Sequence, residues 1–114
     1  MNFKASMAAC VFALAASANV QAQSIQPAIS SAWDNMQLSH ADCLSRGLAA
    51  FERMRFTRIE AVGYSVFADF GNYQFAFRCI PEKQLFYVYG GGPGDKDKEL
   101  NEIITDLKNG FSRR

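Results

Sequence analysis

The sequence lacks a net charge of either sign once its N-terminal segment is set aside. It holds 12 Lys and Arg against 11 Asp and Glu, and Lys4 is the only charged residue among the first 22. Residues 23–114 therefore carry 11 basic and 11 acidic side chains. Domains that bind nucleic acids usually present a clear excess of basic residues on one face. We therefore expect no nucleic-acid partner.

Histidine is almost absent, since His40 is the only one in the chain. Acid–base and nucleophilic catalysis near neutral pH most often uses a histidine beside a second reactive group. The carboxylates of Glu52, Glu60 and Asp69 are spread over predicted helix and strand surfaces, where we expect each to be a solvated charge. We predict no catalytic residues, no resident metal and no cofactor, and we expect that the protein is not an enzyme.

The glycine-rich stretch Gly90–Gly94 lacks the spacing of a nucleotide-binding loop. A phosphate-binding loop ends in Gly-Lys-Ser or Gly-Lys-Thr, which does not occur here, and the last glycine of a Gly-x-Gly-x-x-Gly pattern would fall at Asp95. Asp97 and Glu99, at the start of the helix that follows, would also repel a bound anion. We interpret the stretch as a turn from strand to helix, adaptable enough to contact a partner.

No apolar run in the sequence is long enough to span a membrane. The longest, residues 5–18, follows Lys4 and is shorter than the roughly 18 to 20 residues that a spanning helix needs. A basic residue, a short apolar run and then the small residues Val20 and Ala22 are typical of a secretory signal peptide. We predict that residues 1–22 are this signal peptide and that cleavage follows Ala22. The mature chain is then periplasmic or secreted and has no membrane span.

Cysteine is rare as well, and one of the three, Cys10, lies in the predicted signal peptide. The other two, Cys43 and Cys79, would meet an oxidising compartment after export, so we predict a disulfide between them. Closing a loop of roughly forty residues stabilises a small domain by roughly 3 to 4 kcal/mol on the chain-entropy model. An alternative interpretation keeps both cysteines reduced, so that they form a thiol or soft-metal site with His40, three residues before Cys43.

Two amphipathic helices are predicted, one on each side of a run of strands. Ser39 and Asp42 have the spacing of a capping box, so the first helix is expected to begin near His40. Its apolar residues recur at intervals of three and four: Cys43, Leu44, Leu48, Phe51 and Met54. The second helix is expected to end at Gly110. Its apolar stripe consists of Leu100, Ile103, Ile104 and Leu107.

Alternating apolar residues between the helices predict three antiparallel strands, at residues 59–70, 73–80 and 85–90. Gly71 and Asn72 are suited to a tight two-residue turn, and residues 81–84 form a longer one. Together these elements predict a small single α+β domain over residues 39–114, in the order helix, three-stranded meander, helix. Residues 23–38 are expected to be an N-terminal lead or, around Trp33 to Leu38, an additional edge strand.

One face of the predicted sheet carries more aromatic surface than a solvent-exposed face usually has. The two turns align Phe67 with Tyr89, and Arg78 with Tyr87, across the strands. If both helices cover the opposite side, these four residues form an exposed surface rich in Tyr and Arg, which are favoured at interface centres. Two interpretations remain open: the face binds a protein partner or a second copy of the chain, or residues 23–38 cover it.

The sequence features together favour an exported, disulfide-stabilised binding protein of the bacterial envelope. Phe67, Arg78, Tyr87 and Tyr89 are the predicted binding surface, and Cys43 and Cys79 the structural disulfide. In its size, predicted export and cysteine pair the chain is similar to inhibitors of cell-wall hydrolases and to immunity proteins that block secreted toxins. An inhibitor or immunity function is therefore an alternative expectation.

Overall fold

The computed structural model describes residues 27–94 and 96–113, and the predicted signal peptide with its cleavage site lies outside them. In this part of the chain, five strands and two helices follow one another, with a short 3-10 turn at Pro81–Lys83. The elements are β1 (Pro27–Asn35), α1 (His40–Arg53), β2 (Thr57–Val62), β3 (Ser65–Phe70), β4 (Tyr73–Ile80), β5 (Leu85–Pro93) and α2 (Asp97–Ser112).

The strands form one antiparallel sheet in the order β1-β5-β4-β3-β2. This confirms the α+β class, but the prediction of three strands is wrong. Residues 59–70, predicted as one strand, contain most of β2 and all of β3, which are joined by a tight turn at Gly63 and Tyr64. Gly63 has a φ of 61°, a left-handed conformation that glycine adopts at little cost. The chain therefore reverses there, and β2 becomes an edge of the sheet.

The fifth strand comes from the N-terminal segment. β1 pairs with β5 along all nine of its residues. The edge strand considered near Trp33 to Leu38 is thus present, but it lies earlier in the chain and ends at Asn35. Met36 is buried in the core and Leu38 packs against it, so both residues serve the connection to α1 and not the sheet.

The two turns produce the register expected from the sequence. Phe70 lies opposite Tyr73 across the Gly71–Asn72 turn, and Cys79 lies opposite Phe86 after the 81–84 turn. Tyr64, directly before β3, does not continue the alternation onto the buried face. Its carbonyl accepts a hydrogen bond from the Cys79 N–H at 2.8 Å, but its side chain belongs to the β2–β3 turn and is half exposed.

Both helices pack on the same side of the sheet, and the core lies between them and the strands. α1 begins at His40 as predicted, and the Ser39 Oγ caps it by accepting a hydrogen bond from the Asp42 N–H. The largest fully buried side chains are mainly phenylalanines: Phe51, Phe75, Phe77, Phe86 and Phe111. Neither helix in the described residues is long and apolar enough to cross a membrane.

The glycine run lies in a strand and not in a turn, which corrects the interpretation from sequence. β5 continues through the glycines to Pro93. A Cβ on Gly90 would lie 2.2 Å from a ring carbon of Phe75, and a Cβ on Gly92 would lie 2.4 Å from a ring carbon of Tyr73. Gly90 and Gly92 are therefore required because aromatic rings of β4 lie directly against the β5 backbone.

Candidate interaction surface

The side of the sheet opposite α1 and α2, here called the outer face, has the predicted alignment of residues. Phe67, Ala76 and Tyr89 lie side by side on β3, β4 and β5. Arg78 lies opposite Tyr87 in the adjacent row, again as expected. The register inferred from the two turns is therefore correct for all four predicted surface residues.

The edge strands extend this face beyond what the sequence predicted. β1 adds Trp33 beside Tyr87 and Ile29 beside Gly91, and β2 adds Val62 at the far edge. The sequence does not predict them because the inner side of β1 carries only small or polar residues, so that its alternation is weak, and because β2 and β3 together resemble one long strand. The signal that could have found Val62 is the glycine that directly follows it.

The outer face is open to solvent over the described residues, where no helix or loop packs on it. Phe67 is 43% exposed, Tyr87 and Tyr89 are each 41% exposed, and Trp33 is 54% exposed. Residues 27–38, the described part of the segment considered as a cover, extend the sheet sideways and then enter the core. Exposed apolar residues gathered on one face of a small domain are typical of contact sites.

A shallow depression of about 290 Å³ lies in this face. Its lining includes Ile29, Phe67, Ala76, Tyr89 and Gly91. Ala76 is only 1% exposed although it points to the outer side, because the larger neighbouring side chains stand around it. The small residues Ala76 and Gly91 thus leave space between larger apolar side chains. The depression is suited to one apolar side chain of a partner.

Charged groups are found around the apolar centre. Arg78 is exposed, and its guanidinium carbon lies 5.7 Å from the centroid of the Tyr64 ring, within the range of a cation–π contact. Asp69 forms an ion pair with Arg58 and is 8% exposed, so the prediction that it is a solvated charge is wrong. Glu60 remains exposed at the β2 edge. The outer face therefore offers a cation, Arg78, near Tyr64 and Tyr87, and an anion, Glu60, beside Phe67.

The predicted disulfide is present between Cys43 on α1 and Cys79 on β4, with their Cα atoms 6.1 Å apart. Both residues are fully buried, at 0% and 1% exposure. His40 makes its contacts elsewhere: its Nε2 lies 2.9 Å from the Gly63 carbonyl oxygen, and its ring packs at a tilt against Tyr64, with the ring centroids 4.3 Å apart. A thiol or metal site built on these three residues would first require reduction of the disulfide.

The arrangement on the outer face suits binding through apolar contact. Among residues 27–94 and 96–113, no three His, Cys, Asp or Glu side chains are placed to hold a metal ion. No protein-family model and no curated protein matches the chain, so this interpretation rests on the structure.

Proposed function

We propose that the protein is an exported, non-catalytic binding module of the bacterial envelope that contacts a protein partner through its outer face. The observation that carries the proposal is the exposed aromatic surface around the depression, on the side of the sheet that neither helix covers. Surfaces with Tyr, Trp and Arg near their centre resemble the energetically dominant parts of protein interfaces.

The location in the envelope is supported by the disulfide. A buried disulfide is typical of proteins that fold in an oxidising, non-cytoplasmic environment. The N-terminal basic residue, apolar run and Val20-Gln21-Ala22 sequence supply the matching export signal. We propose on these grounds that residues 1–22 are removed on export, and that the mature chain acts in the periplasm or after secretion.

The chemistry of the outer face defines the partner that it fits. The depression admits one apolar or aromatic side chain between Phe67 and Tyr89. Arg78, beside Tyr87, is placed to receive a carboxylate in the same contact. A partner segment that presents an apolar residue next to an acidic one would satisfy both features.

The test is a double substitution, Tyr87→Ala with Tyr89→Ala, in the purified oxidised protein. Because both rings are 41% exposed, each loss should lower the free energy of unfolding by about 1 kcal/mol, far less than the 3 to 5 kcal/mol typical of a core phenylalanine. Recovery of bound partner from envelope extracts should fall sharply. Glu102→Ala on the exposed side of α2 is the matched control and should leave recovery unchanged.

Unfolding measurements show whether the Tyr87 and Tyr89 rings lie on an open surface or are packed in a core. A loss of several kcal/mol for the Tyr87 and Tyr89 substitutions would show that the rings are covered in the intact protein, and the proposal would fail. Unchanged recovery of partners by a stable double variant would place the binding site elsewhere and would also contradict it.

The narrower inhibitor or immunity function is favoured by one feature, the combination of a rigid disulfide frame with a depression that takes a single side chain. Blocking proteins often insert or receive one anchoring residue at the centre of a preorganised surface. With this narrower function, the native protein should inhibit a lysozyme or another cell-wall hydrolase. The Tyr87 and Tyr89 double variant should lose that inhibition, and an equally inhibitory variant would contradict it.

A further inference from the structure

The antiparallel sheet ends in two edge strands, which differ in how well they are protected against pairing with another chain. An edge strand presents unpaired backbone N–H and C=O groups to other chains, and proteins protect such edges with bulges and charged side chains. β2 has both devices. Its pairing shifts between Thr57 and Glu60, where Arg58 adopts a positive φ of 50°, and Arg58 and Glu60 are charged. The β2 edge is therefore poorly suited to adding a strand.

The β1 edge has no bulge and little charge. Its nine residues pair with β5 without a register shift, and Asp34 is its only charged residue. Pro27 stands at the first position, where its missing N–H removes one donor at the very end of the strand. α2 packs on the inner side of β1, where the Ser30 hydroxyl donates to the Asn101 side chain. Among residues 27–94 and 96–113, β1 is thus a regular strand with no neighbour on one side.

We propose that two copies of this chain pair antiparallel along β1 and join their sheets into one continuous sheet. Successive residues of a strand face opposite sides, so an outer-face residue must lie opposite an outer-face residue of the second copy. Among the two-fold registers that satisfy this condition, one uses all nine residues of the strand. It sets Ser31 opposite Ser31 of the second copy.

The side chains of β1 are complementary to themselves in this register. Ile29 lies opposite Trp33 of the second copy, and the two-fold axis repeats this pair on the other side of Ser31. In the single chain, Ile29 is 75% exposed and Trp33 is 54% exposed. Aromatic and β-branched side chains are favourable cross-strand neighbours. Asp34 lies opposite Ala28, so the only charges of the two strands do not face each other.

This pairing uses the backbone edge of the sheet, and it goes beyond the binding proposed for the outer face. The aromatic surface would continue across the two copies, since Trp33 is next to Tyr87. The two proposals can nevertheless fail separately, because Tyr87 and Tyr89 lie on β5 and take no part in the β1 pairing.

The oligomeric state of the purified oxidised chain is the first measurement. Sedimentation equilibrium at about 100 μM should give an average mass well above that of one chain, and this mass should approach twice the single-chain value as the concentration rises. Trp33 is the only tryptophan, so it reports on the interface without labelling. Its emission should shift to shorter wavelength as the concentration rises, because the indole becomes buried against Ile29 of the second copy.

Charge substitutions at Ser31 test the register directly. Ser31→Lys places two like charges opposite each other at the two-fold axis and should raise the dimer dissociation constant at least about tenfold. Ser31→Glu should do the same, and an equimolar mixture of the two variants should recover the dimer as a mixed pair. Val62→Lys adds the same charge to the exposed outer face of the β2 edge and should leave the dissociation constant unchanged.

Circular dichroism should be used to check that each variant is folded. If either the Ser31→Lys or the Ser31→Glu variant fails to fold, the other still tests the register. A single-chain mass at every concentration would overturn the proposal. A dimer that tolerates both Ser31 substitutions would overturn it as well. Dimerisation that is lost with Tyr87→Ala and not recovered by mixing the Ser31 variants would assign the contact to the outer face and refute pairing along β1.

Discussion

Removal of the disulfide by Cys43→Ala with Cys79→Ala should lower the free energy of unfolding by about 4 kcal/mol. The bridge closes a loop of 36 positions, for which the chain-entropy model gives about 3.8 kcal/mol at 25 °C. Both cysteines are fully buried, so the substitutions also remove packed sulfur atoms from the contact between α1 and β4. Small domains are stable by only about 5 to 15 kcal/mol, so the disulfide should supply a large share of the total.

Urea unfolding followed by far-UV circular dichroism measures this difference. The oxidised native chain should unfold at a much higher urea concentration than the same chain in reductant. The double alanine variant provides the matched control, because reductant should leave its midpoint unchanged. A difference of less than about 1 kcal/mol between oxidised and reduced native protein would refute the view that the disulfide is a main support of this fold.

Three further outcomes are expected. Gly90→Ala should lower the free energy of unfolding in urea by about 1 to 3 kcal/mol, because its Cβ would lie 2.2 Å from the Phe75 ring. Phe75→Leu in the same chain should recover part of this loss. A Gly90→Ala variant as stable as the native protein would contradict the packing described. Ser39→Ala should cost about 1 kcal/mol in the same assay through loss of the α1 cap to Asp42, and no change would show that the cap contributes nothing. The intact mass of the exported protein should correspond to a chain that begins at Gln23, whereas a mass that retains Met1 would contradict the predicted cleavage.

The helices and the strand register could be predicted because each depends on local patterns. Ser39 and Asp42 predict the start of α1, and the pair Gly71–Asn72 predicts the β3–β4 turn. Once the turns are known, the period of two in a strand determines which residues share a face. This is why the sequence alone places Tyr87 and Tyr89 on the outer face, where the structure has them.

The edge strands could not be predicted with the same certainty, because their position depends on long-range pairing. Gly63 marks the reversal between β2 and β3, but a glycine within an apolar run is equally compatible with a bulge. β1 is rich in Ala and Ser, so its pairing with β5 leaves little trace in its own alternation. Gly90 and Gly92 of β5 are explained by the Phe75 and Tyr73 rings, which lie on the neighbouring strand.

Site-specific photo-cross-linking tests the binding role of the outer face most directly. A photoreactive phenylalanine analogue would replace Tyr87 in one variant and Glu102 on α2 in another, both expressed in the cells that naturally make the protein. The account predicts a discrete covalent adduct from position 87 that Tyr89→Ala suppresses, and none from position 102. An absence of adducts from position 87, or equal adducts from both positions, would contradict the claim that the outer face is the binding surface.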